Sequence, residues 1–344
     1  MLLPATLLLA PFTAPFQEDL GALVRRYRAS EAVEARVLAL EEIAALHRGE
    51  GSDPAITRAV VDALKRKEPF EVRTRAIELL GAGLDPDAAV VALVQAARGL
   101  ERDRDDLRKL SEEAPELRKD RKGNASVADT TEFLTQVSDH LEAVKERMEA
   151  METLQSALVV ALRTRRDDRC AEGLGLVGRA SPRSARALDA LDGLLDLGTA
   201  PAVEEALAMF RRDEEVVKAF EKQRKELERS RVTRVPKSWK GSKADWKERE
   251  DERIETALEK HDALALFSTG WIDGYAERIR AFAKAKGLDE PPSTTKSHAW
   301  KRWFKSAGKE LPASVVPEKG VEGAEAEAGG GGAGTSERAS LARL

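Results

Sequence analysis

Apolar residues along the first hundred positions recur at steps of three and four, the spacing that gathers them on one face of an α-helix. Val33, Val37, Leu40, Ile43 and Leu46 form such a stripe, predicting a helix over Ser30–His47 that Gly49, Gly51, Ser52 and Asp53 stop. Asp53-Pro54 starts the next, with Ile56, Val60, Ala63 and Leu64 as its apolar face. An Asp at the N-cap accepts from free backbone N–H groups, and a Pro in the first turn loses nothing by lacking its own. Pro69 opens a third helix carrying Val72, Ala76, Ile77, Leu79 and Leu80, with Gly81 and Gly83 as candidate C-caps. Asp85-Pro86 repeats the start signal ahead of Val90, Val91, Leu93, Val94 and Ala97.

The pattern changes after Leu100. Arg102–Lys122 is dense in charge, yet Leu100, Leu107, Leu110, Ala114 and Leu117 keep three-four spacing, and Pro115 is expected to kink their helix. After a break at Gly123-Asn124-Ala125-Ser126 the stripe is cleaner: Leu134, Val137, Leu141, Val144, Met148, Met151, Leu158 and Leu162, with Gln155 the one polar insertion. That is about four heptads, enough for a short coiled coil. Two such helices around a polar turn predict an antiparallel hairpin arm with one seam buried against the other. Leu134, Val137, Leu141, Val144, Met148 and Met151 are therefore candidate contacts for a protein partner or a second copy of the chain. The plainer alternative is a pair of long stacked helices with ordinary amphipathic faces.

Shorter helices resume at Asp168–Val177, then behind Ser181-Pro182, then from Pro201 with Val203, Leu207 and Phe210. Further helices are expected over Lys243–Phe267, Trp271–Lys286 and Ser297–Ser306, with Pro291-Pro292-Ser293-Thr294-Thr295 as a connector. On the last of these, Trp300 and Trp303 share a face with Phe304 beside them. Those aromatics either dock the helix on its neighbours or form an exposed anchor for a partner. Beyond Pro312 the chain is rich in Glu, Ala and Gly, and a disordered tail is expected because it holds too little apolar surface to order itself.

Two Asp-Pro starts after Gly-containing turns, with Glu34-Ala35-Arg36 and Glu71-Val72-Arg73 at like places before them, imply a repeat of two antiparallel helices. Phe70-Glu71-Val72-Arg73-Thr74-Arg75-Ala76-Ile77-Glu78-Leu79-Leu80-Gly81 resembles the HEAT-repeat family, and Leu195-Asp196-Leu197-Gly198-Thr199-Ala200-Pro201-Ala202-Val203 echoes it. The resemblance covers about a third of the chain and implies stacked helix pairs offering a long surface to partners, with no bond chemistry. Trp300 and Trp303 are also similar to a W-x-x-W helix that follows HEAT-like arrays in some bacterial extracytoplasmic proteins. The expected fold is thus all-α: a HEAT-like helical-pair solenoid with a long antiparallel helical hairpin arm and a disordered C-terminal tail. Its divisions are expected at 1–16 (a signal peptide), 17–99 and 166–235 (two sets of helical pairs), 100–165 (the arm), 236–312 (Trp-containing helices) and 313–344 (the tail).

Composition supports helices: 34% of residues are charged and only 5% aromatic, leaving little material for a large sheet. A net charge of −4, from 57 basic and 61 acidic residues, argues against bulk attraction to nucleic acid or anionic membranes. The one basic concentration, Lys222–Lys247 with Trp239 and Trp246, reads as a solvated helix and loop; its alternative is a site for single-stranded nucleic acid. Met1–Phe16 is apolar and uncharged, like the core of a secretory signal, although no Lys or Arg precedes it. Periplasmic or secreted localisation is the expectation from it, cytoplasmic the alternative, and no membrane span remains once it is removed. Cys170 is the only cysteine, read as a small core residue, and the four histidines are far apart in sequence, so neither cofactor nor metal is implied. Gly173–Gly178 only superficially matches a dinucleotide fingerprint, for no strand precedes it. The sequence points to a non-catalytic protein-interaction scaffold, with a nucleic-acid-binding protein or a helical enzyme of unfamiliar type as rivals.

Overall fold

The computed structural model describes residues 19–47, 54–113, 115, 127–230, 235–236 and 239–315. Among these, eleven α-helices form and no strand does. They are α1 (Leu20–Ala29), α2 (Val33–Ala45), α3 (Pro54–Asp62), α4 (Phe70–Ala82), α5 (Pro86–Glu112), α6 (Val127–Arg165), α7 (Arg169–Ala180), α8 (Ala185–Leu197), α9 (Ala200–Arg229), α10 (Lys243–Lys286) and α11 (Ser297–Ala307). The predicted segments 1–16 and Gly123–Ser126, the N-cap at Asp53, and all of the tail beyond Val315 lie outside the described residues. No described helix is long and apolar enough to cross a membrane.

Helix starts follow local chemistry. Asp85 accepts from the backbone N–H groups of Asp87 and Ala88, ahead of Pro86. Thr199 does the same for Ala202 on α9, and Ser242 forms a reciprocal capping box with Asp245 on α10. Gly287 ends α10 in the left-handed region at φ 68°, which a side chain would strain.

Four sequence expectations shift. Gly81 is not a cap but lies inside α4, which ends at Gly83. Ser184, not Ser181-Pro182, caps α8. The predicted helices over Lys243–Phe267 and Trp271–Lys286 are one continuous α10, because Gly270 needs no unusual φ and costs an exposed helix only about 1 kcal/mol. Pro115 does not kink a longer helix; α5 has already ended at Glu112.

Packing follows chain order. Every substantial contact among the described helices joins elements one or two apart, from α1 on α2 to α9 on α11. One core runs through all of them, fed by fully covered residues such as Leu40, Ile77, Leu93, Leu158, Leu191 and Phe210. Each buried Leu, Ile or Phe contributes roughly 1.5–3 kcal/mol relative to exposure. Cys170 is buried in this core, and burial pushes its thiol up to about 11.

Charged side chains fix the order. Arg36 on α2 reaches Glu68 just before α4 at 2.6 Å, and Arg73 on α4 reaches Asp103 on α5 at 2.7 Å. The two arginines occupy the like places read from the sequence, and their partners lie 32 and 30 residues further on. Arg165, at the end of α6, donates to the carbonyls of Leu80 and Leu84 and so closes the C-terminal end of α4.

Candidate interaction surface

α4 and α6 run in the same direction, since Arg147 lies over the Phe70 ring at 4.3 Å while Gly81 packs on Ala161. Phe70 begins α4, so residues 127–146 of α6 extend beyond it by about 30 Å at 1.5 Å per residue. No residue from 128 to 153 is buried. Within that stretch Leu134, Leu141 and Met148 repeat every seven residues and are 60%, 61% and 46% exposed. Val137, Val144 and Met151 lie half-buried beside them. From Leu154 one face of the same helix is buried, through Leu158 and Leu162, against a bundle of α4, α5, α7 and α8, while Val160 on the opposite face is 66% exposed. The seam expected to be covered along its whole length is therefore fully covered within the chain only over its last third, from Leu154. An apolar heptad stripe on a helix is the shape that a second helix fills by knobs-into-holes packing.

The aromatic residues of α11 are placed differently. Trp300 and Trp303 are 1% and 7% exposed, and Trp300 packs against Phe210 of α9 with ring centroids 5.3 Å apart. Both indole N–H groups are satisfied inside the chain, Trp300 donating to the Thr294 carbonyl and Trp303 to the Asp289 carbonyl, each at 2.8 Å. They dock α11 on α9 and are not an exposed anchor. Phe304 is half-buried and lines a groove of about 500 Å³ between α9 and α11.

A patch not singled out from the sequence lies on α10, where Leu264, Leu266 and Phe267 are exposed and Phe267 packs edge-on to Trp271 at 6.0 Å. Leu264, Phe267 and Trp271 at i, i+3 and i+7 are visible in the sequence as one more stripe. Periodicity alone does not distinguish a stripe that finds a neighbour from one that does not.

The basic stretch is in part neutralised. Lys222 lies 3.8 Å from Glu226, and Arg224 lies 3.7 Å from Glu228 and 3.4 Å from Asp262. Trp239 and Trp246 pack edge-on to each other at 5.2 Å, with Arg249 over Trp239, so both indoles are engaged within the chain. His261 is buried against Phe220, and His140 sits on the projecting half of α6; neither lines the α9–α11 groove. Among the described residues no cluster of His, Cys, Asp or Glu is arranged to hold a metal ion.

Buried polar groups gather at the root of α9 and α10. Burial pushes the Asp213 carboxyl above its ordinary range, against the opposing influence of the nearby Tyr275 hydroxyl, Arg212 and Arg183. The Tyr275 hydroxyl is likewise raised, first by burial and then by Asp213. Arg183 donates to Ser268 at 2.9 Å, which ties the turn before α8 to α10. These groups hold helices together and open onto no described groove.

Known proteins add no identity: the chain matches no family model, no curated protein and no solved structure.

Proposed function

We infer that this chain is a non-catalytic protein-interaction scaffold of HEAT-like stacked helix pairs, with the first half of α6 as a projecting arm. The observation that carries the reading is the heptad stripe Leu134, Leu141 and Met148 left exposed on a helix that extends beyond α4. An uncovered apolar face of this kind costs solubility and is retained where a partner covers it. Support for the repeat comes from contacts confined to helices one or two apart, the pattern of a quasi-one-dimensional stack. The equivalent pairs Arg36–Glu68 and Arg73–Asp103 fit the same unit.

Native extraction of the full chain should recover a stoichiometric protein partner or a second copy. The triple substitution Leu134→Glu, Leu141→Glu and Met148→Glu should abolish that association while changing the stability read from thermal melting by no more than about 0.5 kcal/mol per substitution. A wild-type chain that purifies as a lone monomer, or a variant that keeps its partner, overturns the reading. Export from the cytoplasm is part of the proposal. N-terminal sequencing of the mature chain checks it, with an intact Met1 as the adverse result.

A further inference from the structure

The groove between α9 and α11 has an apolar floor and a basic rim. Leu207 and Phe210 from α9 and Trp300 and Phe304 from α11 make the floor. Arg211, Lys301, Lys305 and Lys309 stand around it against the single acid Glu204. None of these four cations makes an ion pair among the described residues. Lys301 and Lys305 lie four residues apart on one face of α11, so their like charges repel by a few tenths of a kcal/mol, and Lys309 follows in the turn just beyond the helix. An anionic occupant with some apolar surface would relieve that repulsion and cover the floor.

The chain itself supplies one. The Pro312 carbonyl accepts from Ala200 N–H at 2.9 Å, Ala313 lines the groove, and the Val315 N–H donates to Asp168 at 2.6 Å. Ala313 therefore lies in the groove, and the described residues end two positions on, at the start of α7. From there the chain continues Val316-Pro317-Glu318-Lys319-Gly320-Val321-Glu322-Gly323-Ala324-Glu325-Ala326-Glu327, with four acids against one lysine. We propose that residues 318–327 of the same chain bind in the α9–α11 groove, their glutamates on Arg211, Lys301 and Lys305 and Val321 on the apolar floor.

Reach and concentration agree with this. Ser297 to Ala307 spans about 15 Å along the α11 axis, whereas the seven residues from Val315 to Glu322 extend up to about 25 Å. A short tether gives an effective concentration in the millimolar range, so weak ionic and apolar contacts suffice.

Carbodiimide coupling of the full chain tests the proposal, because it joins a carboxylate directly to an amine in contact. At low salt, amide links should form between Glu318, Glu322, Glu325 or Glu327 and Lys301 or Lys305, identified by peptide mass spectrometry. They should be lost in 1 M salt, where the screening length is about 3 Å. The Lys218–Glu214 pair, 2.7 Å apart, is the internal control and should couple at low salt. A mixture of heavy- and light-isotope chains should give tail links within one isotope only. Mixed-isotope links would place a second copy's tail in the groove and overturn the intrachain proposal. Absence of tail links while Lys218–Glu214 couples overturns it outright. As a second readout, deleting 316–344 should raise amide exchange in α11 severalfold, and unchanged exchange counts against occupancy.

Discussion

The Glu214 carboxylate on α9 accepts the backbone N–H of Ser297, the first residue of α11, at 2.9 Å. Lys296 precedes that helix and offers no side-chain cap, so a residue 83 positions earlier does the capping. Burial pushes the Glu214 carboxyl up, but hydrogen bonds from Lys218 and Ser297 outweigh it and hold the group below its ordinary range. Glu214→Ala should cost about 1 kcal/mol and loosen α11 first. Near-ultraviolet circular dichroism of Trp300 and Trp303 reads that loosening. Since the folded pKa is depressed, the stabilisation is present above the unfolded value of 4.5 and is lost as pH falls through the folded one. Glu214→Ala should accordingly flatten the acid side of the stability profile.

Arg73 and Asp103 form an ion pair that is almost wholly buried between α4 and α5. Removing one partner leaves a buried charge unanswered. Asp103→Ala should destabilise by about 3–5 kcal/mol in urea unfolding. Replacing both with apolar residues of similar size should recover most of that loss, and the double-mutant cycle measures the coupling.

At Gly81 an added Cβ would lie 2.9 Å from the Cβ and 3.1 Å from the Cα of Ala161. The obstacle is partly backbone and cannot rotate away. Gly81→Ala should therefore push α4 from α6 and destabilise by about 1–3 kcal/mol, although Ala is the better helix former. A paired Ala161→Gly substitution should relieve the clash, visible as partial recovery of the melting temperature.

Asp213 behaves oppositely to Glu214. Its folded pKa is raised by burial, so the folded chain holds that proton more tightly than the unfolded chain. Stability from this group therefore falls as pH rises from the ordinary 3.8 to the raised folded value, and the loss persists above it. Asp213→Asn keeps the shape of the side chain beside Tyr275 without the charge. It should stabilise the chain at neutral pH and remove that part of the pH dependence, as measured by melting at a series of pH values.

The sequence by itself determined that the described chain is helical and where most of its helices begin and end. Three-four spacing, Asp-Pro starts and Gly stops act within one or two turns, so they need no distant neighbour. The α6 stripe was legible on the same grounds, as were the like positions of Arg36 and Arg73. Which part of the stripe is covered was decided only by the tertiary structure, because burial depends on where α4, α5, α7 and α8 lie in space. The same holds for Trp300 and Trp303, whose spacing is identical whether they face α9 or solvent. Glu214 as the cap of α11 and Arg165 as the closure of α4 join residues more than 80 positions apart. No local pattern encodes such a contact; it exists only once stacked helices bring a free carboxylate or guanidinium beside the unsatisfied end of another helix.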